Sequence, residues 1–344
     1  MTRKSLIRVM GCVTALGVTL TLASCSGPGT TTTPAPAPTA TTAVATPTPT
    51  DPVASDLPTA PVAANLDDIT VTGGIGESPT VTVPFPWTAD ITRTKVLVPG
   101  DGMTVPENGL VEINYYGVNA RTGEKFDDSY SRGSSVSMSL ANTIPGFGKG
   151  LTGQQVGSRV LVAIPGTDAY DPSGGQTGAG IEVGDTLLFV VDILRTSVTG
   201  PAGETQPVTD TSLPTVSGDL AAPVVTIASG ATPPGATASE LLVKGAGPAV
   251  ESTDGIYVNY AEYLWDGTLV RTTYGSSPLT GLLSNTLKAW QGALVGQTVG
   301  SRLLIVGTPE DTYPIGNDKV GIAQGSTMVY VIDILYAAPQ WWSA

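Results

Sequence analysis

Apolar and polar positions alternate with a period of two through residues 69–72, 80–83, 92–98, 110–116, 125–128 and 136–140. That alternation predicts strands with one buried face. Gly73-Gly74, Pro99-Gly100-Asp101-Gly102 and Arg121-Thr122-Gly123-Glu124 separate the strands as turns. The period then changes. Ile144, Phe147 and Leu151 stand three and four residues apart, on one face of a predicted short helix. Strands resume at 159–164 and, as a nearly continuous apolar run, at 186–194, with a long loop carrying Tyr170 between them. The pattern predicts an α+β unit in which one short helix lies across a sheet and turns its aromatic into the sheet's concave face.

The same order restarts about 141–145 residues later. Thr215-Val216-Ser217-Gly218 echoes Thr70-Val71-Thr72-Gly73, residues 256–260 echo 111–115, and 327–335 echo 186–194. Leu287, Trp290 and Leu294 repeat the helix signature. A single long offset indicates duplication of one domain, not a solenoid. The expected boundaries are 66–196 and 212–344, joined by a Pro/Gly/Thr linker at 197–211.

Composition narrows the chemistry. Of 344 residues only 13% are charged, with 42 Gly and 28 Pro, as suits a turn-rich β protein. The net charge of −13, without a Lys/Arg cluster beyond the first ten residues, argues against nucleic-acid binding. There is no His, so His-based triads, metal sites and general bases are excluded. Asp127-Asp128 and Asp168 with Asp171 lack the regular ligand spacing of a Ca²⁺ loop, and no Gly-rich stretch is followed by the Lys of a phosphate loop. Neither a metal nor a cofactor is expected.

Residues 1–24 read as an export signal: Arg3, Lys4 and Arg8, an apolar stretch, then Leu22-Ala23-Ser24 before Cys25. Those four last positions resemble a bacterial lipobox, with Cys25 lipidated as the mature N-terminus. The apolar stretch falls short of the roughly 20 residues of a membrane span. Residues 25–65 form a Thr/Pro/Ala tether, extended in the polyproline manner at about 3.1 Å per residue. The expectation is an exported protein, lipid-anchored on the extracytoplasmic face of the bacterial cell membrane. Trp341-Trp342 either fold back on their own domain or mark a partner site.

With these residues assembled, the repeated unit resembles an FKBP-type peptidyl-prolyl cis-trans isomerase. The segments that carry the resemblance include Val98-Pro99-Gly100-Asp101-Gly102, Asn114-Tyr115-Tyr116-Gly117, Gly123-Glu124-Lys125-Phe126-Asp127-Asp128, Ile144-Pro145-Gly146-Phe147 and residues 187–194, in that order. The resemblance implies two tandem FKBP-like domains of α+β class, each an antiparallel sheet wrapped around one short helix. In the first, Phe147 takes the pocket floor, Tyr115, Phe126 and Phe189 the walls, with Asp127 beside them and Ile181 closing one side. Ile144 offers its backbone N–H and Tyr170 its hydroxyl to the substrate. Val136 or Met138 stands where a wall Phe is usual, which implies a wider pocket. In the second, Tyr260, Leu287, Trp290, Tyr313, Ile322 and Tyr330 match, but Val270-Arg271 replaces Phe126-Asp127, so this unit is expected to be degenerate. The implied partners are X–Pro segments of unfolded exported proteins, and macrolide inhibitors. The alternative is a non-catalytic chaperone or Pro-rich-peptide binding module.

Overall fold

The computed structural model of the protein describes residues 61–63 and 65–339. The export signal, Cys25, most of the tether and Trp341-Trp342 lie outside those residues. Among them, no helix is long and apolar enough to cross a membrane.

The chain builds two antiparallel sheets, each with one short helix and each preceded by a β-hairpin. The first hairpin is β1 (Thr70–Thr72) and β2 (Thr80–Thr82). The first sheet comprises β3 (Arg93–Val98), β4 (Leu110–Asn119), β5 (Lys125–Asp128), β6 (Val136–Ser139), β7 (Arg159–Ile164) and β8 (Leu187–Thr196), in the order β3-β7-β8-β4-β5 with β6 also on β4. Helix α1 (Pro145–Leu151) crosses it between β6 and β7.

The second half follows the same plan. It opens with β9 (Gly203–Thr205) and the hairpin β10 (Thr215–Asp219) and β11 (Ala222–Thr226). Its sheet comprises β12 (Ala238–Gly245), β13 (Asp254–Leu264), β14 (Leu269–Thr272), β15 (Leu279–Leu282), β16 (Arg302–Gly307) and β17 (Met328–Pro339), with α2 (Lys288–Leu294) against β16. Residues 203–205, expected inside a linker, form the edge strand β9 on β12 through Val243, Lys244 and Gly245. Three residues leave too little pattern for the sequence to reveal such an edge.

The unbroken apolar run of β8 has a physical cause: both faces of the sheet are covered. Leu187, Phe189, Val191 and Ile193 face α1, while Leu188 and Val190 face Leu66, Ile69, Val83 and Trp87 of the hairpin region. The second sheet is covered likewise, with Val329 and Val331 of β17 packed against Leu213 and Val225. A buried ion pair joins neighbouring strands in each sheet at the same register, Arg159 of β7 to Asp192 of β8 and Arg302 of β16 to Asp333 of β17.

Helix α1 starts where Pro145 occupies the first turn, a position that needs no amide hydrogen. It lies so close to β7 that a Cβ on Gly146 would stand 2.2 Å from Ile164 Cγ2. Helix α2 carries Ala289 at that place, and β16 has Gly307 opposite, so the bulk has changed sides.

Asp128 closes β5. It accepts from Lys125 Nζ at 2.6 Å and from the Ser131 N–H and hydroxyl at 2.6 and 2.9 Å. Burial alone would raise its pKa; the ammonium and the Ser131 donors outweigh that and hold it down to about 2. The folded value lies below the unfolded one, so this stabilisation is complete above about pH 4 and is lost as pH falls through about 2. Asp128→Asn is expected to flatten the fall of unfolding free energy across that window. Parallel acid limbs for variant and wild type would contradict this.

Candidate functional site

The first site lies between α1 and strands β4, β5 and β8. Phe189 is its centre: its ring lies 4.7 Å from Phe147, 5.5 Å from Phe126 edge-on, and 6.1 Å from Tyr115. Ile181 is buried beside them, and Ile144, Tyr170 and Met138 pack against the same cluster half-buried. The structure thus brings together seven of the eight residues singled out from sequence; the eighth, Asp127, lies beside them on the Tyr115 hydroxyl. Phe126 reaches Phe189 only because β4 has glycine beneath it. A Cβ on Gly117 would come within 2.7 Å of Phe126 Cζ.

Asp127 turns away from the rings into a polar cluster that the sequence reading missed. Its carboxylate accepts from the Tyr115 hydroxyl and from Arg132 Nη1, while Arg132 Nη2 donates to Tyr115 Oη at 2.7 Å. Burial and the Asp127 carboxylate push the Tyr115 hydroxyl up to about 12. Asp127 itself, though burial pulls it upward, is held below the usual carboxylate range by Tyr115 and Arg132. The only sequence signal for Arg132 was a lone cation five residues past Asp127 in a Ser/Gly turn.

Two donors remain for a ligand. Among the described residues the Ile144 N–H, at the N-cap of α1, donates to no backbone acceptor, and the Tyr170 hydroxyl has no hydrogen-bond partner. The site therefore offers an apolar aromatic cluster, a backbone donor and a hydroxyl donor. It has no group poised for proton transfer near neutral pH. Accordingly, kcat/KM on an X–Pro peptide is expected to stay level from about pH 5 to about pH 9, since Tyr115 titrates near 12 and Asp127 below its usual value. An inflection between those limits, measured at constant ionic strength, would contradict this.

The second site is a cavity of about 410 Å³ over Trp290, lined by Tyr260, Leu287, Tyr313 and Arg271 among others. Trp290 meets Tyr260 at 5.1 Å and Tyr330 at 5.5 Å, both edge-on, and Ile322 is buried below. Its wall differs in kind. Glu262 occupies the place of Gly117: it pairs with Arg271 and Tyr330 as Gly117 pairs with Asp127 and Phe189. This fully buried carboxylate accepts from Arg271 Nε at 2.7 Å, Tyr313 Oη at 2.8 Å and Tyr330 Oη at 3.0 Å. Arg271 Nη2 also donates to Tyr313 Oη at 2.6 Å. Burial and Glu262 push both tyrosine hydroxyls well above their ordinary value. The hydroxyl that is uncommitted in Tyr170 is, in Tyr313, engaged in a hydrogen bond to Glu262.

An aromatic cluster with two uncommitted donors and no acid–base pair suits a reaction without proton transfer, such as rotation about an amide bond. The family described as FKBP-type peptidyl-prolyl cis-trans isomerase matches residues 102–194, which include every first-site residue above. A probable FK506-binding protein of Corynebacterium glutamicum is 35% identical over 119 residues, 34% of this chain and 98% of that protein. An FK506-binding protein of Streptomyces anulatus is 37% identical over 97 residues, covering 28% and 77%. The solved structure of FkpA from Escherichia coli is 33% identical, with a TM-score of 0.28, covering 30% of this chain and 47% of that one. This chain belongs to the FKBP-type peptidyl-prolyl cis-trans isomerase family.

Proposed function

We propose that the protein is a lipid-anchored extracytoplasmic prolyl isomerase of two tandem FKBP-like domains, the first turning over X–Pro bonds of exported unfolded proteins and the second binding without turnover. The observation that carries this is the contrast in hydroxyls: Tyr170 is uncommitted beside four converging rings, while Tyr313 is held by Glu262. Rotation about an X–Pro bond is opposed by about 18–20 kcal/mol of lost amide resonance. The planar amide has a polar, well-hydrated carbonyl. A pocket formed by Phe147, Phe126, Phe189 and Tyr115 strips that hydration, which disfavours the planar form more than the twisted one. Donation from Ile144 N–H and Tyr170 Oη, when stronger in the twisted geometry, adds to the difference.

The anchoring part of this reading rests on the sequence before residue 66, with its lipobox-like Leu22-Ala23-Ser24-Cys25 and its Pro-rich reach. Macrolide binding is supported by the names of the relatives, which are FK506-binding proteins. The test is expression of the full chain and its Cys25→Ser variant in a bacterial host fed a labelled fatty acid. The expected result is label and membrane association for the wild type, both lost in the variant. An unlabelled wild type, or a variant that still pellets with membranes, would remove the anchor from the proposal.

A further inference from the structure

The two pockets commit their tyrosines in opposite ways. In the first, the Tyr115 hydroxyl is engaged by Asp127 and Arg132, and the Tyr170 hydroxyl is open. In the second, Tyr313, the counterpart of Tyr170, donates to Glu262. The open group is instead Tyr260, the counterpart of Tyr115, whose half-buried side chain has no hydrogen-bond partner for its hydroxyl among the described residues. The free hydroxyl has thus moved from the loop to strand β13, where the charge of Arg271 reaches it.

Arg271 and Glu262 are the charged residues that line this cavity of about 410 Å³. Glu262 is fully buried, and its carboxylate already accepts three hydrogen bonds. The Arg271 side chain is 41% exposed. Its Nε and Nη2 serve Glu262 and Tyr313, and among the described residues its Nη1 makes no hydrogen bond. The buried carboxylate thus holds the guanidinium by its inner edge, and the charge nearest a ligand in the cavity is positive. Two open donors, Arg271 Nη1 and the Tyr260 hydroxyl, stand in the wall of a pocket floored by Trp290. At the place of Arg271 the first pocket carries a partly exposed carboxylate, Asp127.

We infer that the second pocket selects prolyl segments with an acidic residue next to the proline, the ring on Trp290 and the carboxylate on Arg271 and Tyr260. The inference rests on the reading of the second half as a unit that binds X–Pro segments without turnover. Hydrogen bonds from a guanidinium to a carboxylate are stronger than those to a neutral amide. A basic residue in the same place meets the like charge of Arg271, while Glu262 has no acceptor left to offer it. The net charge of −13 repels an acidic peptide from the chain as a whole, so a preference for acid reports a local cation. Arg271 is then the specificity-determining residue, and the charge beside a proline divides client segments between the two halves.

The probes are two peptides blocked at both ends, acetyl-Ala-Glu-Pro-Glu-Ala-amide and its twin with Gln in place of both Glu. Each is titrated calorimetrically into the full chain, its Trp290→Ala variant and its Tyr260→Phe variant. At the site that Trp290→Ala removes, the Glu peptide is expected to bind at least about threefold tighter than the Gln peptide, a preference that shrinks with added salt. Tyr260→Phe keeps the ring, takes away only the open hydroxyl, and should narrow the preference. Both peptides meet the same wild-type protein, so misfolding of a variant cannot create the difference between them. Equal affinities at that site, or tighter binding of the Gln peptide, would overturn this inference and leave the second half as a prolyl-binding unit. Tighter binding of a Gln peptide with a free terminal carboxylate than of the Glu peptide would assign the pocket to chain ends and overturn it also. Binding of neither peptide at a site sensitive to Trp290 would remove both readings.

Discussion

Phe126→Val combined with Asp127→Arg is expected to lower kcat/KM on an X–Pro peptide at least about tenfold, equivalent to 1.36 kcal/mol. Losing the Phe126 ring forfeits roughly 1–3 kcal/mol of apolar contact with a proline ring. Losing Asp127 takes away the acceptor shared by Tyr115 and Arg132 and sets a second guanidinium beside the first. The reciprocal change in the second half is not simply the reverse. Val270→Phe with Arg271→Asp leaves Glu262 where Gly117 stands, and at Gly117 a bare Cβ already comes within 2.7 Å of the phenylalanine ring. It also brings two carboxylates together in a buried place. The double exchange should therefore yield no activity. Adding Glu262→Gly makes room for the ring and releases the Tyr313 hydroxyl, and the triple variant should gain measurable turnover. Both are measured in a chain whose first pocket is disabled, with folding checked by thermal melts. Turnover in the double variant, or none in a folded triple variant, would show that Glu262 does not decide the difference.

The second large effect concerns stability. Asp192→Ala should cost about 3–5 kcal/mol of unfolding free energy, because it leaves the Arg159 guanidinium buried without its counter-charge. That is a large share of the 5–15 kcal/mol typical of a folded protein. Replacing both partners, Arg159→Met with Asp192→Leu, should cost much less than the single change, since no charge is then stranded. Denaturant unfolding of the wild type, the single variant and the double variant measures this. A double variant as unstable as the single one would mean that the turn over Arg159, and not the paired charge, supplies the stability. Asp333→Ala should cost less than Asp192→Ala, because among the described residues no backbone amide donates to Asp333 in the way that the Gly76 N–H donates to Asp192.

Most strands and both helices were legible from their periods, and β8 from its apolar run, while the eight first-site residues came from the resemblance of their motifs to the FKBP family. What escaped was relational. Arg132 is an ordinary turn cation until the fold sets its guanidinium on Asp127 and Tyr115. Glu262 looks like a surface charge on an alternating strand, yet it is fully buried because Arg271, Tyr313 and Tyr330 converge on it from other strands and a loop. Val270-Arg271 was visible as a loss, a wall removed and a charge reversed; that Arg271 pairs with Glu262 appears only through the register of β13 with β14. The hairpins were visible as strands, but that each covers the outer face of its sheet depends on contacts the alternation alone does not specify.

The central claim is that the first pocket is the catalyst. A protease-coupled assay on an X–Pro tetrapeptide tests it most directly, using the full chain, its Phe126→Val, Asp127→Arg variant and a Trp290→Ala variant at equal micromolar concentration. The account predicts acceleration over the uncatalysed cis/trans rate that grows with enzyme concentration, falls at least about tenfold in the first variant and persists in the second. No acceleration by the wild type, or activity lost with Trp290 and kept without Phe126 and Asp127, would contradict it.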